Sequence, residues 1–206
     1  FSNQLSSAEY SEGYTHGYVM ALNDASSSTS STFAWNGAGT NLSYLNANPT
    51  SNLWYNDMSS GYIGTVNHGM GENHTYPAWE AAYNYKNTVN TSNFFNSGWY
   101  LPTAGQWFDV VEKLGGDEAL NTALVHYQTT AEWALPVPSS SALTNINKKF
   151  TDAGGAPLLN NWHFYWSSTE ESAAGRATVF YLESNKMHMY LHDKTESNAV
   201  RSVFAF

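Results

Sequence analysis

The 206-residue sequence predicts an α+β fold carried by a single domain. Two patterns point there: apolar residues at helical spacing after Pro77 and again after Thr103, and strict two-residue alternation from Met187 to His192. A third observation is the stretch 33–73, rich in Asn, Gly, Ser and aromatic residues without a sustained period, which reads as long irregular loops. The expected architecture is two main helices, with short extra helices, packed on antiparallel sheet.

Residues 1–16 are polar and are expected to be loosely held. Residues 17–22 form a short apolar run of β type, ended by Asn23-Asp24 and a Ser/Thr-rich loop. Within the irregular stretch, Trp35, Trp54, Tyr55 and Tyr62 argue for packed loops. Thr75 is the expected cap of the first helix, with Pro77 in its first turn and Trp79, Ala82 and Tyr83 on one face. The second helix is marked more strongly. Thr103-Ala104-Gly105-Gln106 has the capping-box pattern, Trp107, Val110, Val111 and Leu114 make one stripe, and Gly115-Gly116 stop it.

Residues 117–124 read as another short helix, and Pro136 and Pro138 as forcing a loop. Residues 141–152 read as a helix with Leu143, Ile146 and Phe150 inward. After Trp162 the pattern turns to strands. Met187, Met189 and Leu191 alternate with His188, Tyr190 and His192, the pattern of a half-buried antiparallel strand. Residues 177–182 are its expected partner across the turn-like 183–186, and residues 200–206 make a final strand.

Composition narrows function. Only 12 % of residues are charged and 16 % are aromatic, with 8 Trp and 14 Tyr, so solubility rests on Ser, Thr and Asn, as in outward-facing proteins. Exposed Tyr and Trp favour binding surfaces. The net charge of −9, with 8 Lys and Arg and no basic cluster, disfavours nucleic acid and anionic membrane surfaces. Cysteine is absent, which excludes disulfides, thiolate metal sites and a cysteine nucleophile. No apolar run reaches the roughly 20 residues that span a bilayer. Phe1-Ser2-Asn3 does not look like a signal peptide, so the chain is expected to start inside a longer precursor.

Three segments carry a family resemblance. They are Gly98-Trp99-Tyr100-Leu101-Pro102-Thr103-Ala104, Tyr165-Trp166-Ser167-Ser168-Thr169-Glu170 and Val200-Arg201-Ser202-Val203. In that order they resemble the bacterial and phage branch of the C-type lectin fold. The resemblance covers residues 17–22 and then 76 to the end, and leaves 26–73 unmatched. Three groups share the signature: variable proteins of diversity-generating retroelements, surface and fimbria-associated proteins of Bacteroidetes, and formylglycine-generating sulfatase-modifying enzymes. The enzyme group depends on active-site cysteines, which this chain lacks, so no catalytic residue, cofactor or metal is expected.

What the resemblance implies is a recognition module, outside the cell on a bacterial surface or a phage virion, with its ligand face in residues 171–198. If the C-terminal region is diversified at adenines, Glu171, Glu183, Lys186, Met187, Met189, Lys194 and Glu196 would be fixed. The permitted variable sites are then Ser172, Arg176, Thr178, Phe180, His188, Tyr190, His192, Asp193 and Asn198. The partner would be a protein or glycan receptor, with homo-oligomerisation through a longer parent protein also open. The rival reading is a structural domain of a fimbrial tip or phage tail fibre.

The outward set is expected to be Thr178, Phe180, His188, Tyr190 and His192, either an ordinary solvated sheet face or an interaction surface. His188 and His192 have the spacing of a helical zinc pair, but on a strand they lie roughly 13 Å apart, too far to share an ion. The loop 67–74, with His68, Glu72 and His74, could bind a cation or rim a pocket. Asp57, Glu72 and Asp109 are conceivable calcium ligands, although the Glu-Pro-Asn sugar-binding motif is absent. Trp99, Trp107 and Trp166 are expected in the core, and Arg201 is expected to tie the last strand to a carboxylate such as Glu170.

Overall fold

Glu9 ties down the start of the chain. The computed structural model describes residues 5–26, 31–42, 45, 57–72, 74–116, 134–136, 142–159, 162–171, 175–182 and 186–206. A one-turn helix, α1 (Ser7–Ser11), is closed by a capping box between Ser6 and Glu9. The Glu9 carboxylate is fully buried and accepts the hydroxyls of Tyr18 at 2.8 Å and Tyr100 at 2.6 Å. The loose leader expected over 1–16 is therefore corrected for residues 5–16. Buried hydrogen bonding, to which apolar patterning is blind, holds this polar segment.

Strand β1 (Tyr18–Met20) pairs antiparallel with β8 (Val203–Ala205), and β2 (Phe33–Ala34) with β7 (Ser197–Asn198). Helix α2 (Ser60–Tyr62) runs into a π-helical turn, Ile63–Asn67, and then a 3-10 turn, Met70–Glu72. At Gly61 a Cβ would lie 1.9 Å from the Leu101 carbonyl oxygen, so only glycine lets α2 meet the Trp99–Pro102 segment backbone to backbone. Helix α3 (Pro77–Asn84) has Pro77 at its first position, but its cap is Tyr76, without a side-chain cap bond, and not Thr75. Burial of Ala78, Trp79 and Ala82 holds this helix without the cap.

Helix α4 (Ala104–Gly115) forms as its sequence dictates. The Thr103 hydroxyl accepts the Gln106 N–H at 3.1 Å, and the Gln106 side-chain oxygen accepts the Thr103 N–H at 2.9 Å. The chain leaves through Gly116 in the left-handed region, φ 72°. The expected helix over 117–124 and Pro138 lie outside the described residues. Pro136, expected in a loop, instead ends β3 (Ala134–Pro136), an edge strand where a missing N–H is tolerated. Helix α5 (Ala142–Asp152) buries Leu143, Ile146 and Phe150.

Strands β4 (Tyr165–Glu170), β5 (Arg176–Leu182) and β6 (Lys186–Asp193) complete an antiparallel four-stranded sheet, in the order β3-β6-β5-β4. One face packs on α4 and α5, where Trp107 lies flat on Phe180 at 4.4 Å between ring centroids. On the other face Ala177 and Val179 meet a second core with Trp35, Trp79, Trp99 and Trp166. The sheet is thus packed on both sides, and the chain is α+β. Arg201 does tie the terminal segment to a carboxylate. Its partner is Asp24 at 2.6 Å and not Glu170, which pairs with Lys194.

Candidate functional site

The register of one hairpin decides which side chains reach the surface. Val179 pairs with Tyr190, Phe180 with Met189 and Thr178 with Leu191, and cross-strand partners share a face. Thr178 and Phe180 therefore point with Met189 and Leu191 toward α4, away from Tyr190. Both are fully buried. Thr178 exchanges a hydrogen bond with the Ser167 hydroxyl and donates to the Thr169 carbonyl at 3.2 Å, while Phe180 covers Trp107. The outward placement expected for these two residues is corrected. The side chains that truly share the face of Tyr190 on β5 are Ala177, Val179 and Tyr181.

On that face aromatic rings follow one another. Trp162 stacks on Tyr181 at 5.8 Å and 10°, Tyr181 lies 5.4 Å from His188, and His188 stacks on Tyr190 at 5.4 Å and 12°. The Tyr190 hydroxyl is 2.9 Å from His188 Nδ1. Phe164 reaches Tyr181, Tyr190 and His192 at 5.4, 6.0 and 4.5 Å. His192 also meets Glu196 at 3.1 Å and the Asn198 amide at 3.3 Å.

Exposure is graded across the face. Trp162 is 69 % exposed, Phe164, Tyr190 and His192 are half-buried, and His188 is 7 % exposed. His188 was expected to face solvent; sandwiching between two tyrosine rings removes it. Asn198 is likewise buried, on β7 opposite Phe33 of β2. Arg176 pairs with Glu171 at 2.8 Å opposite the exposed Asp193. Ser172 lies outside the described residues.

Trp162 carries a further mark. Its φ of 65° makes it the one non-glycine with positive φ among the described residues. A bulky aromatic residue there costs of order 1–3 kcal/mol, and such outliers concentrate at functional sites. Neither Trp162, Phe164 nor Tyr181 was picked out from sequence. The alternation Trp162, Phe164, Trp166 was the available signal, interrupted by the polar His163 and the core Tyr165.

The other candidates do not assemble. Asp57 is buried and accepts the backbone N–H groups of Ser59 and Ser60 and the Thr169 hydroxyl, capping α2. Glu72 accepts the Tyr83 hydroxyl at 2.6 Å, and His74 meets Glu80 at 2.9 Å. Asp109 faces a cavity between β1, α4 and α5. Among the described residues no three His, Asp or Glu side chains are grouped to hold a metal ion. Trp99, Trp107 and Trp166 are in the core as expected.

Fold and face together describe an α+β module with an aromatic surface patch. No protein-family profile matches the chain, and no curated protein matches it. Among solved structures, it is similar to a fimbrial protein from Bacteroides ovatus, with a TM-score of 0.55 over 98 % of this chain and 13 % identity. This chain spans 38 % of the length of that protein. At such identity the likeness is one of fold alone. No helix among the described residues is long and apolar enough to cross a membrane.

Proposed function

We propose that the chain is the recognition module of a surface-displayed, fimbria-associated bacterial protein. It binds a protein or glycan receptor outside the cell, by equilibrium binding without chemistry. The observation that carries this reading is the strained, solvent-facing Trp162 at the head of the ring series Tyr181, His188, Tyr190 and Phe164. Rigid aromatic side chains supply contact area at little entropic cost, which is why they dominate binding hot spots. The resemblance to the bacterial C-type lectin branch supports the same reading. It also makes the chain a candidate target of a diversity-generating retroelement, with His188, Tyr190 and His192 among the replaceable positions.

The likeness to part of a longer fimbrial protein favours one second reading, in which the same face packs on a neighbouring subunit. A single pair of variants separates the two. Trp162→Ala and Tyr190→Ala should leave Tm within a few degrees of the parent while attachment to immobilised glycans or intact cells falls at least tenfold. Normal attachment with loss of incorporation into fimbriae would select the assembly reading. Attachment and incorporation both unchanged would remove the face from either role.

A further inference from the structure

At the far end of β6, the buried Lys194 and Glu170 side chains meet the exposed Asn41 at the protein surface, apart from the aromatic face. The Lys194 side chain is fully buried. Its Nζ donates to the Asn41 Oδ1 at 2.9 Å and to the Thr40 carbonyl at 2.9 Å, and it contacts Glu170 Oε1. The Leu42 N–H donates to that same Glu170 oxygen at 2.8 Å, so residues 40–42 wrap the pair. The Trp35 ring centroid lies 4.6 Å from Nζ and closes off one side. Glu170 Oε2 is buried with no hydrogen-bond partner among the described residues.

We infer that Lys194 and Asn41 are joined by an intramolecular amide bond, formed without any other reactant and with Glu170 moving the protons. A C=O bond of about 1.23 Å puts the Asn41 carbonyl carbon no more than about 4.1 Å from Nζ, within about 1 Å of the roughly 3–3.5 Å at which reacting atoms meet. Burial pushes Glu170 up and Lys194 down, and both shifts favour the neutral acid beside a neutral amine. A neutral amine is the nucleophile the step needs.

Each proton has a destination. Glu170 takes one proton from the Lys194 ammonium, and the freed lone pair forms an N–C bond to the Asn41 carbonyl carbon as the C=O pair moves to Oδ1. Glu170 then delivers its proton to the Asn41 amide nitrogen and takes a second from Nζ. The C–Nδ2 bond breaks with its electron pair on nitrogen, the carbonyl re-forms, and ammonia departs. The products are a secondary amide, free ammonia and a protonated, buried Glu170. Neither oxidant nor reductant is needed. Bound rigidly in place, the reacting groups gain the high effective concentration of an intramolecular reaction.

This inference is independent of the binding reading, and mass spectrometry of the intact purified chain tests it. The expected mass is below that of the sequence by one ammonia. Trypsin should then yield a branched species in which 187–201, uncut at Lys194, is attached to the peptide holding Asn41. Asn41→Asp should form the same bond with loss of one water, and Glu170→Ala should restore the full sequence mass. If Glu170→Ala does not fold, the parent mass and its branched peptide decide alone. A parent at full sequence mass, or a deficit without that branched peptide, overturns the inference and leaves an ordinary buried ion pair.

Discussion

Asp109 shows how burial tunes one residue. Its carboxyl projects from α4 toward the cavity beside β1 and α5, and its Oδ2 is buried with no hydrogen-bond partner among the described residues. Burial, with repulsion from Glu112 added, pushes its pKa up to about 7. The unfolded value is about 3.9. Below about pH 4 both states hold the proton and nothing is lost. Between about pH 4 and 7 the unfolded chain ionises while the folded one does not, so stability falls, and above that range the loss is constant. Asp109→Asn should therefore raise Tm at pH 8 and leave it unchanged at pH 4. A Tm–pH series checks this; equal gains at both ends would mean that packing, not ionisation, is responsible.

At the scale of elements, α4 is where sequence and structure agree most closely, because its signals are local. Thr103, Gln106, the Trp107–Val111 stripe and Gly116 each act within a turn or two of their neighbours. Thr103 is fully buried, so Thr103→Ala removes a cap that water cannot replace and should cost about 1–2 kcal/mol in urea denaturation. The hairpin of β5 and β6 was legible only by half. Alternation within β6 correctly put Met189 and Leu191 opposite Tyr190. Alternation within β5 was equally plain, but which of its two faces joined that of Tyr190 depended on register. Register is fixed by the turn and the paired strands, and neither strand carries that information alone. A one-residue difference in pairing moved Thr178 and Phe180 from the expected face to the interior.

At the scale of the whole molecule, distant segments close the fold. β1 pairs with β8, and Arg201 collects partners from three places. Its guanidinium donates to Asp24 at 2.7 Å, to the Leu22 carbonyl at 3.2 Å and to the Ala156 carbonyl at 3.0 Å, and it lies over the Phe150 ring. The closing Val-Arg motif announced a structural arginine, but no local pattern could name Asp24, more than a hundred residues away. The same blindness explains the missed role of Glu9, whose donors come from β1 and from Tyr100. Arg201→Met should cost about 3 kcal/mol, since it leaves the Asp24 carboxylate without its cation and removes one donor each from the Leu22 and Ala156 carbonyls. A lower denaturation midpoint with an unchanged m-value is the expected signature. A loss below about 1 kcal/mol would mean that these groups find water instead.

The two-sided burial of β5 has a practical corollary for anyone wishing to retarget this scaffold. A combinatorial library that scrambles the whole strand would wreck the Trp107–Phe180 stack in nearly every clone. One that leaves codons 178 and 180 untouched and varies Tyr190, His192 and Trp162 would spend its diversity only where a new partner could touch it.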